Sequence, residues 1–280
     1  MLEDIQKKLD KIMADKNSRG LPQFEGYSPH QMHFILYDPW NGESPLRLQR
    51  LAEADYNSIP ILNLVRHLGG IIAEEQELKL TAKGFLPVKV VADLYAQGFI
   101  KERYIESGLL KLYKEENSKS ISLTRILIEI SGIAKKRNNK LSITKTGKDA
   151  LSDNFKLLQL LLETFSTKFN WAYFDGYGDH KVGQVGWAFS LILLGKYGAD
   201  VRMDEFYAAK YFTAFPTLKN SFTARPYSSV DEQSVGCYSL RTFEVFLDYF
   251  GLIQSREIKK RDDDVLVSKS DLFEKLIRIQ

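Results

Sequence analysis

The sequence predicts a mainly α-helical α+β protein, with two or three small helix–hairpin units joined by buried helices. Three observations predict it. The stretch from Arg125 to Leu151, RILIEISGIAKKRNNKLSITKTGKDAL, reads as an apolar helix ending at Gly132, a strand, a basic turn, a second strand and a new helix near Gly147. The same change from helical period to alternation recurs upstream, from Ile61 to Gly84, and downstream, from Leu240 to Ser268. Between these stretches lie segments such as FKLLQLLLETFSTKF and VGQVGWAFSLILLGKYG, apolar on most sides as buried helices are.

The 280 residues suffice for two or three small domains, and an apolar content of 44% with 12% aromatics excludes a disordered chain. The expected division is 1–104, an N-terminal helical region with the first unit; 105–152, the second unit; and 153–280, a helical region ending in the third. A net charge of +3 is too small to imply a nucleic-acid partner, so any such argument rests on local charge. Cys237 is the only cysteine, which excludes an internal disulfide or a Cys-rich zinc site and fits a reducing, cytoplasmic setting. MLEDIQKKLDKIM lacks the apolar core of a signal peptide, and no stretch approaches the ~20 apolar residues of a membrane span.

Taken in order, Leu2, Ile5, Leu9, Ile12 and Met13 make an amphipathic first helix. Its stripe is expected to pack on the protein's own body; the sharper alternative is a homodimer seam. Ser28-Pro29 opens a second helix, with serine as N-cap and proline at the first helical position. His30 and His33 share a face of it, but no third ligand accompanies them and no metal or cofactor is expected. Ile61 to Leu68 reads as a helix stopped by Gly69-Gly70, followed by a first hairpin with Ile71-Ile72 as one strand, Glu74 to Glu77 as the turn and Leu78 and Leu80 on the return. A shift of 63 residues sets Leu64 on Leu127, Gly69 on Gly132, Leu78 on Leu141, Thr81 on Thr144 and Gly84 on Gly147. Helices are expected from Val88 to Gln97 and from Tyr104 to Tyr113. After Asn154 come two buried helices around an aromatic loop, a helix from Asp204 to Phe215 stopped by Pro216, and a long loop holding Arg225. The third unit follows, with a helix ending at Gly251, the turn REIKKRDDD and the strand VLVS.

The order helix–Gly–hairpin–LxLTxxG resembles the end of winged-helix domains such as bacterial transcription regulators. The stretch LKLTAKGFLPVKVVADLY, from Leu78 to Tyr95, also resembles a segment of uncharacterised bacterial proteins, which brings no assigned activity. The resemblance implies binding of DNA or of a protein partner. In DNA-binding winged helices, however, the helix before the hairpin shows a polar, basic face to the major groove. Here those helices offer Asn63, Arg66 and His67; then Arg125 and Glu129; then Arg241, Glu244 and Asp248, which are poor base readers.

The strongest site candidate is electrostatic. From Lys119 to Lys148 stand Lys119, Arg125, Lys135, Lys136, Arg137, Lys140, Lys145 and Lys148, opposed by Glu129 alone. A cluster of this kind on a wing neutralises phosphates, whereas a bland reading makes it the solvated, protected tip of a hairpin. An enzyme reading would use Asp175, Asp179 and His180 among Trp171, Tyr173, Phe174 and Tyr177, but no nucleophile motif or phosphate loop supports it. The favoured expectation is non-catalytic nucleic-acid binding, with a protein–protein scaffold as the alternative and an enzyme third.

Overall fold

The computed structural model describes residues 2–257 and 265–280. The protein is mainly helical with small antiparallel sheets, and the chain divides into two compact units. Unit 1 comprises Met1–Gln49, Asp175–Asp248 and Leu252–Gln280; unit 2 comprises Arg50–Phe174 and Tyr249–Gly251. The boundaries read from the sequence at 104 and 152 both fall inside unit 2: β2 and β4 pair across the first, and α8 packs on α7 and α3 across the second.

Unit 1 begins with α1 (Leu2–Ser18), α2 (Pro29–Tyr37) and β1 (Leu46–Leu48). The α1 stripe does not pack on the body: Ile5, Leu9, Ile12 and Met13 are all exposed. Helix α2 starts where the sequence places it, with Ser28 and Gln31 forming a reciprocal capping box and Pro29 in the first turn. His30 pairs with Glu43 at 3.2 Å, and His33 packs against the rings of Phe34 and Tyr37.

Unit 2 runs α3 (Pro60–Glu75), β2 (Leu78–Lys79), α4 (Val88–Ala96), α5 (Arg103–Glu106), α6 (Lys119–Ile130), β3 (Ala134–Arg137), β4 (Lys140–Ile143), α7 (Lys145–Leu151) and α8 (Asn154–Glu163), which passes into a π-helical turn at Thr164–Lys168. Its sheet order is β2-β4-β3, so the short first strand pairs with the returning strand of the hairpin. Leu62, Leu64, Val65 and Leu68 of α3, Ile121, Leu127 and Ile128 of α6, and Leu78 and Leu141 of the sheet are buried in its core.

This arrangement corrects the first expected hairpin. Ile71 and Ile72 lie inside α3, which continues past Gly69-Gly70 to Glu75. Gly69 is a packing position: a Cβ there would stand 2.9 Å from a methyl of Leu151. Residues 60–84 therefore contribute one helix and one strand to the same sheet as the basic hairpin. The helix expected from Tyr104 to Tyr113 is likewise short, since Gly108 at φ +76 turns the chain after one turn of α5.

The chain returns to unit 1 with α9 (Trp187–Tyr197), β5 (Arg202–Met203), α10 (Asp204–Ala214), α11 (Pro216–Lys219) and α12 (Val230–Ser239), which continues as a π-helix over Leu240–Leu247. Then follow β6 (Ile253–Glu257), β7 (Val265–Lys269), α13 (Asp271–Leu276) and β8 (Ile277–Ile279). The sheet order β5-β7-β6 repeats that of unit 2, and β8 pairs with β1. The charged tip expected between Lys259 and Asp264 lies outside the described residues. The core is aromatic, with Tyr211 stacked on Tyr238 at 4.4 Å and Phe243 edge-on to Tyr238. Cys237 is enclosed there, and burial pushes its thiol up to about 12, where it is not a nucleophile. Among the described residues no helix is long and apolar enough to cross a membrane.

Two contacts in this scaffold generate predictions. Thr144 caps α7 by accepting from the Gly147 amide at 2.9 Å, and its hydroxyl donates to the Gly132 carbonyl at 2.6 Å. This clamp brings Gly147 so close that an added Cβ would meet the Ile133 carbonyl oxygen at 2.0 Å, whereas at Gly70 it would meet nothing within 4 Å. Gly147→Ala is expected to destabilise by about 3 kcal/mol, and Gly70→Ala to be neutral or to stabilise by up to about 1 kcal/mol, as read by urea unfolding. In unit 1, burial alone would raise the Glu25 carboxyl. Hydrogen bonds from Lys196, Lys210 and Tyr197 outweigh burial and hold it at about 2, below its ordinary 4.5. A depressed carboxyl stabilises fully above its unfolded value and loses that contribution as pH falls from 4.5 towards 2. Acid titration of unfolding is expected to show this loss in the wild type and a flatter profile in Glu25→Gln.

Candidate nucleic-acid interface

The basic hairpin forms where the sequence places it. Asn138 and Asn139 occupy its two-residue turn at φ +48 and +57, the left-handed pair that matches strand twist and that asparagine tolerates. Asn139 also fastens the turn to the chain just beyond β2: its side-chain amide donates to the Leu80 and Thr81 carbonyls at 3.3 and 2.5 Å. The Lys136 ammonium reaches the Gly84 carbonyl at 3.4 Å.

Register sorts the side chains onto two faces. Lys136 lies opposite Leu141, and Ala134 opposite Ile143, on the face turned to the core. Lys135, Arg137, Lys140 and Ser142 alternate onto the other. Strand β2 adds to that outer face a residue absent from the sequence-based set. Lys79 is the cross-strand partner of Lys140, which is itself the partner of Arg137. Three exposed cations thus form one row across three strands, roughly 5 Å apart, with Lys135 beside it. Lys135, Arg137 and Lys140 border a cavity of ≈ 250 Å³ that Glu77, Asn138 and Ser142 complete. Glu77 is the one acid there; Lys140 approaches it at 2.5 Å and holds its carboxyl below the ordinary range. The equivalent register in unit 1 places Met203 and Leu266 where unit 2 has Lys79 and Lys140.

The remaining sequence-predicted residues are dispersed. Lys119 is exposed at the first turn of α6, and Lys145 and Lys148 are exposed on α7. Arg125 does not join them. Its guanidinium is enclosed between Glu115 and Glu129, each at 2.5 Å, and Glu115 is fully buried, also accepting from the Leu86 amide at 2.7 Å. Arg125 therefore anchors α6 internally. Helix α6 also buries Ser120, Ser122 and Thr124, leaving no polar face for a major groove.

In unit 1, Arg241 is closed in the same way. It is 2% exposed, holds Asp175 by two bonds of 2.6 and 3.1 Å, and donates to the carbonyls of Gly178, His180 and Val182. Asp175 is thus consumed by an arginine. The His180 ring packs on Phe222 at 4.6 Å, and exposed Asp179 lies 4.0 Å from Lys181. These three do not converge on a reacting centre. Arg225 reaches the Gly176 carbonyl at 3.5 Å.

Like charges placed directly opposite in a sheet repel, so the Lys79–Lys140–Arg137 row is held against local stability. Arg137→Thr is expected to raise unfolding stability by about 0.5 kcal/mol at low salt, with the gain shrinking as salt screens the row. No family model matches the chain, and neither does any curated protein or solved structure.

Proposed function

We propose that the two helix–strand–helix–helix–hairpin units are winged-helix units, and that the protein is a non-catalytic nucleic-acid-binding protein that holds phosphates on the outer sheet face of unit 2. The observation that carries this reading is the cationic row Lys79–Lys140–Arg137 with Lys135 beside it. The matching sheet orders β2-β4-β3 and β5-β7-β6 support the fold assignment. Among the described residues of unit 1, Met203 and Leu266 stand where unit 2 has Lys79 and Lys140, which supports a division of labour with one unit binding and the other serving as structure. The closure of Asp175 by Arg241 speaks against catalysis at the aromatic loop. Sequence-independent binding fits best, since the helix before each hairpin is largely buried and phosphate contacts carry no base information.

A second reading, a protein–protein scaffold or homodimer, is favoured by one observation: the open apolar stripe of Ile5, Leu9, Ile12 and Met13 on α1.

Fluorescence anisotropy with labelled oligonucleotides across a salt series tests the first reading. Wild type is expected to lose affinity steeply with salt. Changing Lys79, Lys135, Arg137 and Lys140 together to Ala should reduce the logarithmic salt slope by about 3, at roughly 0.7–0.9 for each of the four phosphates left without its cation. No binding at low salt, or an unchanged slope in the variant, would exclude the sheet face as the interface.

A further inference from the structure

The segment between α4 and α6 displays large apolar side chains that unit 2 does not use. Tyr104, Leu109 and Tyr113 are 63, 79 and 64% exposed. They are held in ordered backbone: the Leu110 amide bonds the Tyr104 carbonyl at 2.8 Å, and Asn117 accepts from the amides of Tyr113 and Lys114 at 3.3 and 3.2 Å. Exposed Lys111 and Lys114 stand among them, the latter paired with Glu116 at 2.7 Å.

This segment and the basic hairpin flank the same short stretch. The Lys136 ammonium bonds the Gly84 carbonyl, and the Glu115 carboxylate accepts from the Leu86 amide two residues on. Two residues of chain span at most about 7 Å. The Thr81–Phe85 turn, closed by Thr81 and Phe85 bonding each other's backbone, presents exposed Lys83 between them. The hairpin tip between Arg137 and Lys140, which Asn139 fastens to the Thr81 carbonyl at 2.5 Å, is thus joined through the turn that carries Lys83 to the segment that carries the exposed Tyr113, over a few nucleotide spacings.

Resting on the nucleic-acid reading above, we propose that the ligand is single-stranded: its phosphates run over the hairpin and Lys83, and an unpaired base stacks on Tyr113. Two observations favour a single strand over a duplex. The helix before the hairpin has no polar face to place in a major groove. An exposed ring offers its face to a base, and in a duplex both faces of each base are already covered by neighbours.

The test is anisotropy with labelled strands of about twelve nucleotides: oligothymidine, oligouridine, an abasic deoxyribose-phosphate strand of equal charge, and a duplex. Wild type is expected to bind the thymidine or uridine strand about tenfold more tightly than the abasic strand, the two former arms separating DNA from RNA. Tyr113→Ala is expected to remove that preference while leaving abasic binding and the salt slope unchanged. Tyr113→Phe, which keeps the ring, should retain it. Equal binding of base-bearing and abasic strands by wild type, or a Tyr113→Ala variant that keeps the preference, overturns the single-strand proposal while leaving phosphate binding in place. Binding to no probe overturns this proposal together with the function beneath it. A Tyr113→Ala variant that binds every strand like wild type but sediments differently assigns the surface to a second copy of the chain and also overturns the proposal.

Discussion

Unit 2 depends on a strand of two residues. Leu78 and Lys79 are too few to hold a ladder alone, yet their pairing with Leu141 and Lys140 joins the first helix of the unit to its hairpin. The pairing survives because Leu78 and Leu141 are both buried beneath it, on the side where their strands meet α3. A slip by one residue would carry Leu78 to the outer face and Lys79 into the core, so burial on one side also fixes what stands on the other. The cationic row is the outward consequence of an inward hydrophobic register. Unit 1 uses the same device, with Val267 buried opposite Arg202.

Charge in this protein is used in two physically distinct ways. Arg125 and Arg241 are withdrawn from water and compensated by carboxylates and carbonyls; such pairs specify geometry more than they stabilise, and removing one partner leaves a buried charge. The hairpin cations stay in water, mutually repelling and, among the described residues that line their cavity, opposed by Glu77 alone. An exposed charge keeps its attraction for an outside anion, whereas Arg125 has already committed its donors to Glu115 and Glu129. Sequence position places Arg125 in the basic stretch, but its surroundings remove it from the interface.

Much of the local structure was legible in the sequence. Helix ends at Gly132 and Gly251 follow from a left-handed backbone that glycine adopts freely, and the basic hairpin follows from alternation around Asn138-Asn139. What escaped was pairing at a distance. The 63-residue shift that aligns Leu78 with Leu141 suggested two equivalent hairpins, yet those leucines are neighbours in one sheet. Lys79 escaped for the same reason: the sequence sets it on the return of a separate, acidic hairpin, and only β2–β4 pairing carries it to Lys140. Gly69 misled because glycine ends helices and also lets side chains approach them closely; the two uses differ only in what lies opposite, here Leu151. The closure of Asp175 by Arg241, 66 residues apart, had no local signal.

The discontinuity of unit 1 bears on how the chain is made. Strand β1 pairs with β8, so Leu46 meets a partner synthesised roughly 230 residues later. At about 5–20 residues per second a ribosome takes some 10–50 s to deliver it. By then all but three residues of unit 2 have long emerged and are free to fold. Strand β1 meanwhile keeps an unpaired edge until the last strand of its unit is made, and an unpaired edge is a template for pairing with other chains.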